Sequence, residues 1–438
     1  MSNSNHINHS NHINIALAGA GIVGSAFVKL LANAGDTILQ RTGMRLVISH
    51  ICVKNPNKSR DFDVSHMHIW EDAVEMASHA DYDIFVELMG GADGAAFHAV
   101  EAAIKRGKKL VTANKALLSA HGLHMAELCD KHDSMLGYEA AVAGGIPIIK
   151  TIKEGLSGNR IHKVMGILNG TCNYILTQMV EHEMEFETAL AQAQTLGYAE
   201  ADPSFDIDGV DSAHKLSLLT ALSFRVQPDY AQIYIEGIRN IARADIAYAK
   251  ELGYKVKLLG IAELHEDGSI YQSVAPVMLE HHAPLANIDG VLNAVRVSGD
   301  YVGHIMLEGP GAGGNATASA VMADVIDIIM QRESPLFGCA YADLQPIQTP
   351  KLNAVQSQWY MRLSVIDQPG VVAQIATILR DHKISINSLI QHGHDPDERV
   401  DLIMVTHRMD RAMIEQAHGL ITQLDSVAYA TLPMQLLH

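Results

Sequence analysis

Three glycines, Gly19, Gly21 and Gly24, stand in the spacing G-x-G-x-x-G between an apolar run and a helical pattern. The first allows a tight turn, the second lets a pyrophosphate approach the backbone, and the third lets helix and strand pack closely. With Ala20, Ile22 and Val23 between them, they read as a dinucleotide site in which N–H groups of the helix start hold the phosphates. Lys54, Lys58 and Arg60 follow the second apolar run, with no carboxylate before Asp61. Cations there would neutralise a 2′-phosphate, which favours NADP over NAD. Lys115, in TANKALL, falls just after another apolar run, at the carboxyl edge where open α/β sheets bind ligands. Glu200 and Asp202 follow Gly197, which reads as a helix end. Asp211 and Lys215 are four apart and share one helical face. Each has an ordinary structural explanation as a solvated loop charge or a surface pair. The LSLLTALSF that follows Lys215 is apolar on nearly every side, however, and charges beside a buried face are costly unless paired or used.

These groups need a scaffold, and the apolar periodicity supplies one. From Ile13, INIALAGAGIVGSAFVKLLANAG reads as strand, turn and helix; RLVISHICV, DYDIFVELM and KKLVTAN give a second, third and fourth strand, with the helical AAFHAVEAAIKRG between the last two. Strands alternating with helices predict a parallel sheet covered on both faces, a Rossmann-like dinucleotide domain over residues 13–150. From about 151 to 314 the texture changes to longer amphipathic stretches and to strand-like runs around KVKLLGIAEL and SIYQSVAPVML, which predicts an α+β domain. The turn GPGAGGN leads into the helical TASAVMADVIDIIMQR, expected to complete the first domain over about 315–345. Pro335, Pro346 and Pro350 mark the expected linker. Residues 356–438 run in a βαββαβ order, a ferredoxin-like module.

The chain has 438 residues, which predicts about two to four domains. With 48% hydrophobic and 18% charged residues it is neither disordered nor fibrous. The formal net charge of −17 speaks against nucleic acid and anionic membrane as partners. Cys52, Cys129, Cys172 and Cys339 lie far apart without C-x-x-C spacing, so neither a disulfide framework nor a zinc knuckle is expected, and a reducing cytoplasm fits. No uncharged apolar run reaches the ~18 residues needed to span a bilayer, and the first twelve residues lack the apolar core of an export signal. Those twelve are expected to be a disordered tail; His6, His9 and His12, spaced by three, leave metal binding there open.

Taken together, GAGIVG, ELMGG, TANKALL, EAAVAGGIPII, GILNGTCNYIL, GYAEADP, the D-x-x-x-K of Asp211 and Lys215, and GPGAGGNATASAV come in the order found in homoserine dehydrogenases, and the chain from Ile13 to about residue 330 resembles that family. The last eighty or so residues, with Asp367-Gln368-Pro369-Gly370-Val371, resemble an ACT domain, the appendage of many single-function members. No aspartokinase segment precedes the glycine turn, so the fused bifunctional form is not expected.

The resemblance implies reversible hydride transfer between NAD(P)H and L-aspartate 4-semialdehyde, giving L-homoserine for threonine and methionine synthesis. NADP(H) is the first choice of cofactor and NAD(H) the second. Lys215 matches the family's proton donor, and Lys115 its second active-site lysine, in contact with cofactor and substrate. Glu200 and Asp211 match carboxylates that hold the substrate. Met89, Gly90, Gly197 and Gly311 match further cofactor positions. Glu139, Val142, Gly144 and Ile146 match ligands of a monovalent cation, usually sodium, bound mostly through backbone carbonyls. Departures are mild: Cys172 replaces a threonine, and Ala143-Gly144 permutes a Gly-Ala. For the ACT module the resemblance implies L-threonine as effector at Asp367, Gly370, Val371 and Asn387, between paired modules of a homodimer or homotetramer. Two alternatives are another NADP-dependent dehydrogenase of a small amino-acid aldehyde and a non-catalytic amino-acid sensor. The joint presence of Lys115, Glu200, Asp211 and Lys215 argues against the sensor.

Overall fold

The computed structural model describes residues 12–332, 334–350, 355–392 and 399–437. His6 and His9 of the expected tail lie outside the described residues. His12 does not belong to a tail: it opens the first strand, paired with Arg45.

The chain begins β1 (His12–Ala18), α1 (Ile22–Thr42), β2 (Arg45–Cys52), β3 (His68–Trp70), α2 (Ala73–His79), β4 (Ile84–Glu87), α3 (Ala95–Lys105), β5 (Lys109–Thr112), α4 (Lys115–His132) and β6 (Leu136–Gly137). A short α5 (Ile148–Lys150) and β7 (Ile161–Ile167) follow. Next come α6 (Gly170–Glu181), α7 (Phe186–Thr195), α8 (Ser204–Ile207), α9 (Val210–Phe224), β8 (Tyr234–Ile235) and α10 (Arg243–Glu251). Then come β9 (Tyr254–Leu264), β10 (Ile270–Glu280), β11 (Leu292–Gly299), β12 (Gly303–Pro310) and α11 (Gly314–Ile329). The last part is β13 (Gln356–Ile366), α12 (Val371–Asp381), β14 (Ile386–Gln391), β15 (Arg399–Thr406), β16 (Met409–Asp410), α13 (Arg411–Ile421), β17 (Val427–Ala430) and β18 (Met434–Leu437).

The chain divides into two compact units. The first holds the stretch up to His162, with His214–Ala231 and Val297–Ile347. Its parallel sheet has the order β3-β2-β1-β4-β5-β6, the doubly wound arrangement that opens a crevice at the carboxyl ends of the strands. β3 and β6 were not expected; at three and two residues they are too short to carry an alternating pattern. The central strands are buried, with Ile15, Leu17, Phe85, Val86, Leu110 and Val111 at 0–2% exposure where apolar runs were expected. α1 is long and apolar enough to cross a membrane by length and composition, yet Ala26, Phe27, Val28 and Ile38 are buried in the core with Val321 and Val325 of α11. That puts α11 in the first unit. The proline-marked stretch is less of a free linker than its composition implied: Phe337 is fully buried, 6.1 Å from the Tyr138 ring, and Leu336, Leu344 and Ile347 are buried as well.

The second unit holds Lys163–Ala213, Gln232–Arg296 and the chain from Gln348. Its strands follow the order β11-β7-β9-β10-β18-β13-β15-β14. The long β9–β10 hairpin is antiparallel, with Tyr254 opposite Glu280 and Leu264 opposite Ile270. The last strand, β18, leaves the ferredoxin-like module to pair in parallel with β10 and antiparallel with β13, making one continuous sheet. A buried cluster seals this junction. Asp245 of α10 accepts Arg362 Nε (2.8 Å) and the Tyr360 hydroxyl (3.0 Å) on Oδ1, and Arg362 Nη2 (3.2 Å) on Oδ2. Arg411 packs over the Tyr234 ring (3.6 Å) and donates to Glu415 (2.6 Å) and the Tyr271 hydroxyl (3.2 Å).

Candidate active site

In the first unit, the glycine turn has the three properties its spacing predicts. Gly19 has φ +106° and donates to Cys52 O (3.1 Å); a Cβ there would stand 2.6 Å from Leu88 O. A Cβ on Gly24 would stand 2.2 Å from Gly19 O, so helix and strand approach too closely for any side chain. Gly21 has nothing within 4 Å of its missing Cβ and caps α1 without a side-chain hydrogen bond. Open space in front of unsatisfied helix N–H groups is what a pyrophosphate requires, so the turn fits a dinucleotide. Ala20, Gly21, Ile22, Lys58, Arg60 and Gly314 line one pocket beside this turn. Lys54 is exposed and Val23 half-buried. Arg60 donates to the carbonyls of Asn55 (2.7 Å), Lys58 (2.8 Å) and Pro56 (3.2 Å), curling the loop onto itself.

A second device holds the crevice, and sequence reasoning did not find it. Glu87 ends β4, is fully buried, and accepts the N–H groups of Met89 (2.6 Å) and Gly90 (3.1 Å) on Oε1. Thr112, ending β5, donates its hydroxyl to Oε2 (2.5 Å). Asn114 donates to Gly91 O (2.7 Å) and accepts Leu117 N (3.1 Å), capping α4. The loop carrying Met89 and Gly90 is thereby tied to the helix whose first residue is Lys115, which is half-buried. The signal was a lone acid ending the apolar strand IFVE.

In the second unit, Asn169 precedes α6 and organises the acidic loop. Its Nδ2 donates to Asp211 Oδ2 (2.9 Å) and to Asp206 Oδ1 (2.8 Å), while its Oδ1 accepts Cys172 N (2.8 Å) and caps the helix. Thr171 donates to Tyr198 O (2.8 Å), and Cys172 Sγ to Asp206 O (3.2 Å). Gly197, at φ +76°, lies just past the end of α7 and is exposed, as is Glu200, whose carbonyl accepts Gln194 Nε2 (3.1 Å). On α9, which begins in the second unit and continues into the first from His214, Asp211 (5% exposed) and Lys215 (8%) are both buried, one turn apart. They are therefore not a solvated surface pair. Asn169 and Asp206 were missed as individual residues, although NGTC pointed to their neighbourhood.

The segment holding Glu139, Val142, Gly144 and Ile146 is buried in the first unit. Glu139 accepts the N–H groups of Ile149 and Lys150 (both 2.8 Å), and its own N–H donates to Asp324 Oδ2 (2.8 Å). Burial pushes the Glu139 carboxyl up to about 7 and that of Asp324 up to about 8. Lys153, whose Nζ lies 4.8 Å from the Tyr138 ring centre, is lowered by burial to about 8. Ala143 and Gly144 both have positive φ, +56° and +54°, and a Cβ on Gly144 would meet the carbonyl of buried Gly311 at 2.4 Å. Among the described residues, no donor reaches the carbonyl oxygens of Val142 or Gly144; Ile146 O accepts Ile148 N (2.8 Å). Buried carbonyls without donors suit a small cation.

In the ferredoxin-like module, Gly370 (φ +98°) caps α12 without a side-chain bond, Val371 is buried at the helix start, and Asn387 is exposed on β14. Gln391 Nε2 donates to Asp367 Oδ1 (3.2 Å) across this turn.

Three family models match the chain: "Homoserine dehydrogenase, NAD binding domain" over residues 19–139, "Homoserine dehydrogenase" over 147–326, and "ACT domain" over 359–424. A homoserine dehydrogenase of Neisseria gonorrhoeae is 40% identical over 421 residues, covering 95% of this chain and 96% of its own. The crystal structure of a homoserine dehydrogenase from Thiobacillus denitrificans superimposes with a TM-score of 0.90 at 38% identity, covering 97% of this chain and 98% of its own. A hyperthermophilic archaeal homoserine dehydrogenase solved in complex with NADPH shares 26% identity, with a TM-score of 0.63, over 74% of this chain and 99% of its own. A dinucleotide turn with its phosphate cradle open, a buried lysine and carboxylate one turn apart on one helix, and relatives matched along nearly their whole length lead to one conclusion: this chain belongs to the homoserine dehydrogenase family, NAD(P)-dependent oxidoreductases acting on a CH–OH group, and carries a C-terminal ACT domain.

Proposed function

We propose that this homoserine dehydrogenase uses NADP(H) in preference to NAD(H) to interconvert L-aspartate 4-semialdehyde and L-homoserine, supplying threonine and methionine synthesis. The observation that carries the chemistry is the burial of Lys215 one helical turn from Asp211. Bound in the crevice, the reduced nicotinamide supplies a hydride with its electron pair. Lys215 gives a proton to the carbonyl oxygen as negative charge develops there, and Lys115 adds a second positive charge beside cofactor and substrate. Asp211, held by Asn169, and Glu200 take the substrate ammonium. Gly19, Gly21 and Gly24 seat the pyrophosphate, and Met89, Gly90, Gly197 and Gly311 complete the cofactor walls. Lys54, Lys58 and Arg60 face the 2′-phosphate end. The archaeal relative solved with NADPH supports this choice of dinucleotide. Loss of NADPH absorbance with aspartate semialdehyde, compared with NADH at equal concentration, tests both substrate and cofactor.

The division of labour we assign is dinucleotide binding to 13–150 with about 315–345, catalysis and dimerisation to 151–314, and regulation to 356–438. Sodium is the cation we assign to Glu139, Val142, Gly144 and Ile146, where a permanent charge would meet buried oxygens; activity in sodium against a bulky organic cation tests it. Threonine is the effector we assign to the turn Asp367–Val371 and Asn387, whose helix start offers N–H groups to a carboxylate. Inhibition or thermal stabilisation by threonine tests it. β12 leaves Ile305, Met306 and Leu307 half-exposed, and Tyr301 is 89% exposed, which supports a homodimer or homotetramer, measurable by light scattering. No disulfide joins any of the four cysteines among the described residues, in keeping with the reducing cytoplasm.

A further inference from the structure

The pocket beside the glycine turn holds one charged pair that neither the phosphate cradle nor the loop cations account for. Lys29, two turns into α1, pairs with Asp61. Both line the same pocket as Gly21, Ile22, Lys58 and Arg60. The pair is exposed, with side-chain exposures of 48% and 64%, so water and salt leave little energy in it and a stronger anion can replace the carboxylate. Hydrogen bonding by Lys29 holds Asp61 below the usual carboxylate range, so it is fully ionised at neutral pH. Arg60 directs its guanidinium to the carbonyls of Asn55, Pro56 and Lys58. Lys58 from the loop and Lys29 from the helix line the pocket with it.

Resting on the NADP(H) reading above, we propose that Lys29 and Asp61 form an exchangeable selectivity element: Lys29 receives the 2′-phosphate of NADP(H), and Asp61 competes with that phosphate for Lys29. A 2′-phosphomonoester is close to dianionic at neutral pH, attracts an ammonium and repels a carboxylate. A ribose with a free 2′-hydroxyl leaves the Lys29–Asp61 pair in place. NADP(H) binding therefore requires Lys29 to change partners, and Asp61 holds the enzyme's NADP preference below what its cations alone would give.

The test measures kcat/KM with NADPH and with NADH for the full chain and for Asp61→Asn, Lys29→Gln and Lys58→Gln, with thermal unfolding to confirm that each folds. Competitive inhibition by adenosine 2′,5′-bisphosphate against adenosine 5′-monophosphate reads the same site without turnover. Asp61→Asn raises the NADPH-to-NADH ratio about two- to fivefold and tightens the bisphosphate, and Lys29→Gln lowers the ratio and weakens the bisphosphate by a similar factor, effects sized for exposed charge pairs. If the ratio moves with Lys58→Gln but with neither Lys29→Gln nor Asp61→Asn, the proposal fails while the NADP reading stands. If none of the three moves it, the loop does not meet the phosphate and both fail.

Discussion

Asn169 donates one amide hydrogen to Asp211 and the other to Asp206, at 2.9 and 2.8 Å, while its oxygen caps α6 through Cys172 N. One short side chain thus fixes a helix start, a loop acid and the buried carboxylate assigned to the substrate. Asn169→Ala removes a helix cap, about 1 kcal/mol, and leaves a buried carboxylate short of a donor, about 1–3 kcal/mol. Steady-state kinetics should show kcat/KM for aspartate semialdehyde down about ten- to a hundredfold, the usual cost of misplacing a group that positions the substrate. The KM for NADPH should move little.

The glycines of the dinucleotide turn separate fold from function. Gly24→Ala places a Cβ against Gly19 O and should destabilise by about 1–3 kcal/mol in denaturant unfolding, the usual cost of overpacking. Gly21→Ala meets open space. It should leave stability within about 1 kcal/mol while weakening NADPH about tenfold or more in a binding titration, because the methyl occupies the place of the pyrophosphate.

His418 of α13 has its basicity lowered chiefly by burial. The folded state resists protonation that the unfolded chain accepts, so stability is fully present above the ordinary histidine range and is lost as pH falls through it to the folded value. Thermal unfolding of the wild type should weaken as pH falls below the ordinary histidine range, and His418→Gln should show a shallower decline there.

Arg362 and Asp245 tie the ACT module to the catalytic sheet through buried oxygens and nitrogens. Arg362→Ala strands Asp245 and should cost about 3–5 kcal/mol. A double-mutant cycle with Asp245→Ala should recover part of that loss, since the second substitution removes the stranded charge.

What the sequence disclosed follows from range. Strand, turn and helix at residues 13–42 are written in local periodicity and glycine spacing, and the structure has them there. The long strands β9 and β10 and the inward-facing α9 were legible for the same reason. The edge strands β3 and β6 were too short to pattern, and Phe337 sat in a stretch whose prolines hid its burial. Glu87, Asn114, Asn169, Asp206 and Asp324 stayed unnoticed because their partners are distant in sequence: Glu87 meets Thr112, Asn169 meets Asp211, and Asp324 meets Glu139 across 185 residues. The parallel pairing of β18 with β10, which joins the ACT module to the long β9–β10 hairpin, likewise depends on residues more than 150 apart.

The proton-donor role of Lys215 is tested by turnover of L-aspartate 4-semialdehyde and NADPH by the wild type and by Lys215→Ala, followed with NADPH binding on the same samples. Lys215→Ala should lower kcat about a hundredfold or more, within the usual contribution of a positioned acid, with the affinity for NADPH unchanged. A Lys215→Ala enzyme that keeps its kcat would contradict that role.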